Sequence, residues 1–201
     1  MGHLALNRHR GFGALMVKVL AFTVFIIGTS NATNFFFRPN AAELYTKLAH
    51  AAWVPYGHGP KILYSIFDPN CPYCHMLFKE LEPLIGPDHL TVREVPVGYL
   101  TKTSLLKAAT ILESKNPLQT ILRGESGYVF KHGMAVELTN PSRRTRFALN
   151  HNLELLKATT GYRIVPVLVY LNRAGTAKFV AGQPDAKTLK TLIASIKQGH
   201  R

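Results

Sequence analysis

Ile62-Leu63-Tyr64-Ser65-Ile66-Phe67-Asp68-Pro69-Asn70-Cys71-Pro72-Tyr73-Cys74 contains the only two cysteines of the 201-residue chain, three positions apart. Its first half is apolar and β-prone and reads as a buried strand, closed by the turn signal Asp68-Pro69-Asn70. A helix should follow at once. Pro72 suits the first helical position, where its missing N–H costs nothing. Met76, Leu77, Phe78 and Leu81 then supply an apolar face before Pro83 and Gly86. Cys71 therefore stands at a helix N-terminus, where unpaired N–H groups and the positive end of the macrodipole favour a thiolate. Its pKa is expected below the ~8.5 of a free cysteine. Cys74 lies one turn on, on the same face, placed to attack a mixed disulfide on Cys71 and release a substrate. A structural disulfide rarely joins residues so close, so Cys71 is assigned as the nucleophile and Cys74 as the resolving thiol.

Two other readings fit the same residues. Cys71 to His75 satisfies C-x-x-C-H, the c-type haem attachment pattern, with Met76, Met134 or another histidine as the second axial ligand; the strand leading straight into the motif argues against it. A tetrahedral zinc site wants four ligands, and the chain has no second cysteine pair. The expectation is no metal and no cofactor beyond a redox-active Cys71–Cys74 disulfide. His75 reads as a solvated helix residue. Asp68 reads as a turn residue that is also close enough in sequence to accept a proton from Cys74.

Residues 1–32 read as a targeting segment. Arg8, Arg10 and Lys18 precede the apolar run Val19 to Ile27, and Ser30-Asn31-Ala32 offers small residues before a cut after Ala32. The apolar run is short for a membrane-spanning helix, so a cleaved signal peptide is expected, with an uncleaved N-terminal anchor as the alternative. Export would place the cysteine pair in an oxidising compartment, where such chemistry serves the disulfides of other proteins. Residues 33–201 suffice for one domain with its own core. The formal charge is +13, but the basic residues are scattered and only Arg143, Arg144 and Arg146 cluster, as a solvated helix face. Nucleic acid is therefore not an expected partner; acidic client proteins or an anionic membrane surface are.

Asn40 and Glu43 make a capping-box-like start to a helix with Leu44, Leu48 and Ala52 on one side, ending near Trp53-Val54-Pro55. Lys61–Phe67, the cysteine helix and a second strand over Leu90–Val97 form a β-α-β unit, whose crossover implies parallel pairing. Residues 98–162 read as a helical insertion between the second and third core strands. Thr103 or Ser104 caps its first helix, Pro117 starts a piece that stops at Gly124, and Asn140-Pro141 caps a third helix running to Gly161. Glu125–Thr139 shows no strong pattern. Val165–Leu171 and Ala177–Ala181 read as an antiparallel pair across the turn Asn172-Arg173-Ala174-Gly175. Pro184-Asp185 opens a last helix with Leu189, Leu192, Ile193 and Ile196 as its core stripe. The fold class is α/β, a central mixed sheet with helices on its faces.

Pro166, at the head of an apolar strand, could be a plain edge residue. After a redox CxxC and a helical insertion, a cis Val165–Pro166 bond facing the cysteines is the better reading, with Val165 bordering Cys71.

Taken together, Phe67 to Cys74, Val97-Gly98, Ala108 to Pro117, Val165-Pro166 and Gly182-Gln183-Pro184-Asp185 resemble the thioredoxin-fold catalytic domain of the periplasmic DsbC/DsbG family of disulfide isomerases and reductases. The likeness runs from about Ala41 to Lys197. It implies a thioredoxin-like fold, Cys71 as the attacking and Cys74 as the resolving cysteine, Pro166 as the cis-proline, and Pro72, Tyr73, Val165 and Pro166 as the surface that meets substrate. It further implies client proteins with disulfides or oxidised cysteines, sulfenic acids included, and a DsbD-type membrane reductase as electron donor. Two departures stand out. Only residues 33–70 separate the expected cut from Cys71, leaving no room for the family's N-terminal dimerisation domain, so a monomer is expected. Val165 replaces the family's threonine and is typical of DsbA-type oxidases. A thiol:disulfide reductase or isomerase is the leading expectation, a DsbA-like dithiol oxidase the alternative; a c-type haem protein and a redox-independent chaperone stand behind them.

Overall fold

A computed structural model describes residues 40–199. The expected targeting segment, residues 1–32, and the Phe35–Phe37 run lie outside the described residues. Among those described, no helix is long and apolar enough to cross a membrane.

The elements are α1 (Ala41–Leu48), β1 (Val54–Gly57), β2 (Lys61–Phe67), α2 (Pro72–Leu81) with a 3-10 turn over Glu82–Leu84, β3 (Leu90–Pro96), α3 (Ser104–Glu113), α4 (Pro117–Ser126), α5 (Arg143–Thr160), β4 (Val167–Leu171), β5 (Ala177–Ala181) and α6 (Ala186–Ser195). The five strands form one sheet in the order β1-β3-β2-β4-β5. β2 and β3 pair in parallel, as the helical crossover between them requires. β1, β4 and β5 join antiparallel.

Strand periodicity divides the core. Tyr64, Ile66, Val95, Val167 and Val169 face α1 and α5, packing with Leu44, Leu48 and Leu156. Leu63, Val92, Leu168 and Tyr170 face α2 and α6, packing with Leu77, Leu81, Leu189 and Ile193. A central strand covered on both sides buries both alternating sets, which is why β4 reads as an unbroken apolar run.

Several expectations need correction. α1 ends at Leu48 and β1 occupies part of the stretch read as its end; Pro55 and Gly57 disguised an edge strand, the place in a sheet where proline is tolerated. α4 continues past Gly124 to Ser126. Gly124 is there because an added Cβ would come within 2.8 Å of Met134 Cε and Val136 Cγ1. α5 is capped by Ser142, whose Oγ accepts the Thr145 N–H at 3.2 Å, in place of Asn140-Pro141. β4 begins at Val167, two residues after the expected start, just past the cis Val165–Pro166 bond. Arg143, Arg144 and Arg146 are exposed on α5.

One buried side chain fastens the insertion to the sheet. Asn152 of α5, fully buried, accepts the Ala52 N–H at 3.1 Å and donates to Ala52 O and Pro96 O, both at 2.9 Å.

Candidate active site

β2 ends at Phe67 and hands the chain to a turn tied down at several points. Cys71 N–H donates to Asp68 O at 2.9 Å, and Met134 N–H donates to Pro69 O at 2.9 Å. Cys71 is the N-cap of α2 and Pro72 its first residue; the Cys71 sulfur accepts the Cys74 N–H at 3.2 Å. A sulfur thus occupies the position where a cap oxygen usually satisfies an orphan N–H. Both cysteines are free thiols, 3% and 5% exposed.

Their electrostatics differ in sign. A hydrogen bond from the Cys74 thiol is the largest cause lowering the Cys71 pKa, helped by the Cys74 and Tyr73 N–H groups, while burial and the Asp68 carboxylate oppose it. Burial is the largest cause raising Cys74 well above its ordinary value, and its hydrogen bond to Cys71 adds to this. The first thiol is the one poised to lose a proton, and the second keeps it.

Val165, immediately before the cis bond to Pro166, presents its carbonyl to the Cys71 sulfur at 3.7 Å. Pro166 is buried, its carbonyl accepting the Gly182 N–H at 2.8 Å. Tyr73 is exposed beside the pair and Pro72 half-buried. Cys71, Cys74 and Val165 are therefore brought together, with Pro72, Tyr73 and Pro166 as their immediate chain neighbours.

Asp68 is 1% exposed. Its Oδ1 accepts the Asn70 N–H at 2.9 Å and the Ser104 hydroxyl at 2.7 Å. Its Oδ2 accepts the Tyr99 and Leu100 N–H groups at 2.8 and 3.1 Å. Four donors fill the lone-pair sites of one carboxylate, so Asp68 acts on this geometry as the knot of the loop. Asn70 Nδ2 extends the knot to Thr101, Thr103 and Ser104 at 2.6, 2.9 and 3.1 Å.

The profile of thioredoxin-like domains matches residues 49–197. The chain belongs to the thioredoxin-like domain family. Among curated proteins this thioredoxin-like domain is similar to the thiol:disulfide interchange protein DsbG of Pseudomonas aeruginosa, 28% identical over 159 residues, covering 78% of this chain and 61% of that one. DsbG of Escherichia coli is 27% identical over 162 residues, covering 79% and 64%. The chain thus spans about three-fifths of the length of the curated relatives it matches. Among solved structures, a periplasmic thioredoxin-like protein from Salmonella enterica serovar Typhimurium superposes with a TM-score of 0.60 at 18% identity, covering 78% of this chain and 97% of that one. The catalytic domain of Proteus mirabilis ScsC gives 0.60 at 16% identity, covering 77% and 96%. The thioredoxin-like fold and the DsbG resemblance read from the sequence are both borne out.

Other residues of this thioredoxin-like domain join the site without a sequence signal. His75 sets Nδ1 2.5 Å from Glu125 Oε2 and stacks on Tyr128 with ring centroids 4.1 Å apart and planes 7° off parallel. Tyr128 sits in the unpatterned connection, and burial, followed by the nearby Cys71, pushes its phenol up to about 12. Burial raises the Tyr99 phenol too, with Asp68 and both cysteines adding, and its hydroxyl donates to Arg163 O at 2.8 Å. Ser104, expected as a cap, spends its hydroxyl on Asp68. Beneath α2, Glu94 pairs in register with Ser65 and is pushed up to about 8, chiefly by burial, with Ser65 pulling down and Glu125 pushing further up.

Proposed function

We propose that this chain is an exported thiol:disulfide oxidoreductase that reduces or isomerises disulfides of client proteins in the periplasm, with Cys71 as nucleophile and Cys74 as resolving thiol. The carrying observation is the opposed tuning of two sulfurs that share one hydrogen bond, Cys71 lowered and Cys74 raised. The similarity to DsbG supports the same class.

The Cys71 thiolate attacks one sulfur of a client disulfide; a Cys71–client bond forms as the client S–S bond breaks, and the other client sulfur leaves as a thiolate. Cys74 gives up its proton to that thiolate and attacks Cys71, closing the Cys71–Cys74 disulfide and freeing the second client thiol. Two electrons pass from the pair to the client. In isomerisation a different client thiolate attacks the Cys71 mixed disulfide, and the pair ends as it began. With a client sulfenic acid, the first attack forms the Cys71–client bond and expels hydroxide, which takes the Cys74 proton to become water; Cys74 then attacks Cys71 and frees the client thiolate. Turnover then requires a dithiol donor, for which a DsbD-type membrane reductase fits. Both sulfurs and the Val165 carbonyl belong to one polypeptide, so a single copy can run the cycle. Asp68 acts by holding the loop, since its lone pairs are already occupied; proton transfer through it would require breaking one of four hydrogen bonds.

Val165 supports a second reading, a dithiol oxidase running the same steps in reverse. The in vivo redox state of the pair separates the two: mostly reduced favours reductase or isomerase, mostly oxidised favours oxidase. The chemistry itself is tested by alkylating reduced protein across pH. Cys71 should label with a midpoint below that of a free cysteine while Cys74 stays protected; preferential labelling of Cys74 would reverse the assignment.

A further inference from the structure

The residue just before the nucleophile opens onto a basic groove that the cysteine chemistry does not use. The groove, about 600 Å³, is lined by Asn70, Lys102 and Lys107 on one side and Phe130, Lys131 and His132 on the other. Residues 129–133 form a tight hairpin, with Val129 N–H donating to Gly133 O at 3.1 Å and Gly133 N–H returning to Val129 O at 2.7 Å. Its base is pinned to the active-site loop. A Cβ on Gly133 would lie 2.0 Å from Asn70 Oδ1 and 2.6 Å from Pro69 O, and Lys107 Nζ donates to His132 O. The hairpin therefore cannot drift from the cysteine loop, yet its tip is bare: Phe130 is 76% exposed, and Lys131 and His132 are exposed with it.

No carboxylate lines the groove, and among the described residues none of Lys102, Lys107 and Lys131 forms an ion pair. Asp68, the acid whose field reaches Lys107, is buried and committed to four hydrogen bonds. A concave wall of one charge sign focuses its potential on whatever enters. The same wall carries Phe130, Val136 and Leu138, so a ligand gains most by offering carboxylates and apolar side chains together. An inorganic anion would use only the ammonium groups; an extended peptide uses both.

On the reading of the site given above, we propose that this groove binds an acidic, apolar extended segment of the client chain adjoining its reactive cysteine. Asn70 lines the groove and is joined directly to Cys71, so a client strand whose cysteine meets the Cys71 sulfur, rising ~3.3 Å per residue, can run its neighbouring side chains into the groove that Lys102 and Lys131 line. The groove would select clients whose cysteines are flanked by Asp or Glu, independently of what the thiols do next.

The test uses fluorescence anisotropy with two dye-labelled, cysteine-free dodecapeptides, one of leucine and glutamate and one with every glutamate replaced by glutamine. The acidic peptide should bind at least about tenfold tighter at low salt, and the advantage should fade as the Debye length shrinks at ~1 M salt. Lys102→Glu/Lys131→Glu should abolish or invert the preference. Lys187→Glu/Lys190→Glu, which alters the net charge equally on α6 outside the groove, should keep it. Equal affinity for the two peptides, or equal loss of preference in both variants, overturns the proposal by showing no site or only diffuse attraction to a basic protein. Exchange of reduced wild-type protein with glutathione disulfide reads the thiol chemistry separately. Peptide selectivity without exchange would overturn the function proposed above and leave the groove standing; exchange without selectivity would do the reverse.

Discussion

Glu94 should make this protein lose stability as pH rises, and replacing it with glutamine should remove most of that loss. The carboxyl is buried in β3 on the face that α2 covers, and its pKa rises from 4.5 to about 8 in the folded chain. A folded-state pKa above the unfolded one means that the native protein binds more protons than the unfolded chain between those two values. Stability then falls with rising pH, at up to ~1.36 kcal/mol per pH unit for one proton. The penalty is absent below about pH 4.5 and complete above about pH 8. The full span sets an upper limit of about 5 kcal/mol, and relaxation around a buried carboxylate reduces it, so a loss of about 2–5 kcal/mol is expected. Glu94→Gln keeps the shape and leaves a group that Ser65 can still hydrogen-bond. Urea unfolding followed through Trp53, the chain's single tryptophan, would give the stability of both proteins from pH 4 to pH 9 by linear extrapolation. The two curves should meet at the acid end and separate steadily above it, with the glutamine variant the more stable. Parallel curves across the whole range would refute the reasoning, because other titrating groups are common to both proteins.

Asn152→Leu should destabilise the fold by about 2–4 kcal/mol in the same urea assay, since it leaves the Ala52 N–H, Ala52 carbonyl and Pro96 carbonyl without their buried partner. Val165→Thr keeps the β-branched shape and places a hydroxyl on the residue whose carbonyl lies 3.7 Å from the Cys71 sulfur. If that hydroxyl donates to the thiolate it stabilises the reduced form, so equilibration against glutathione should give a higher, more oxidising potential, and an unchanged or lower value would count against the placement of the Val165 side chain.

The centre of the fold was legible because its signals are local. A β-prone run, a turn, a proline at the first helical position and two cysteines one turn apart lie within one stretch, and each consequence, from the Cys71 cap to the parallel β2–β3 pair, follows from short-range chemistry. β1 was missed because its Pro55 and Gly57 signal a break, and only pairing with β3 makes the segment a strand. The hydrogen bonds that Asp68 collects beyond its own turn were not legible for a related reason: two of its donors are the backbone N–H groups of Tyr99 and Leu100, which every residue carries and no residue type advertises. Glu94 carries no sequence signal of its burial, because nothing in its neighbours announces that α2 would cover it. His75 was read as solvated because its partners, Glu125 and Tyr128, come from another helix end some fifty residues away.

The carboxylate knot beneath the cysteines has a bearing on transplantation. Asp68 collects its hydrogen bonds from its own turn, from the segment after β3 and from the first residue of α3, so the four-residue Cys-Pro-Tyr-Cys motif is only the visible tip of a discontinuous part. Grafted alone onto another scaffold, it would bring the sulfurs without the clamp that fixes their loop. Conversely, a minimal scaffold made by trimming the insertion would strip a buried acid of the Ser104 hydroxyl that it accepts. The smallest portable unit of this site is therefore Asp68 to Cys74 together with the run from Tyr99 to Ser104, two pieces of chain that only the folded sheet brings side by side.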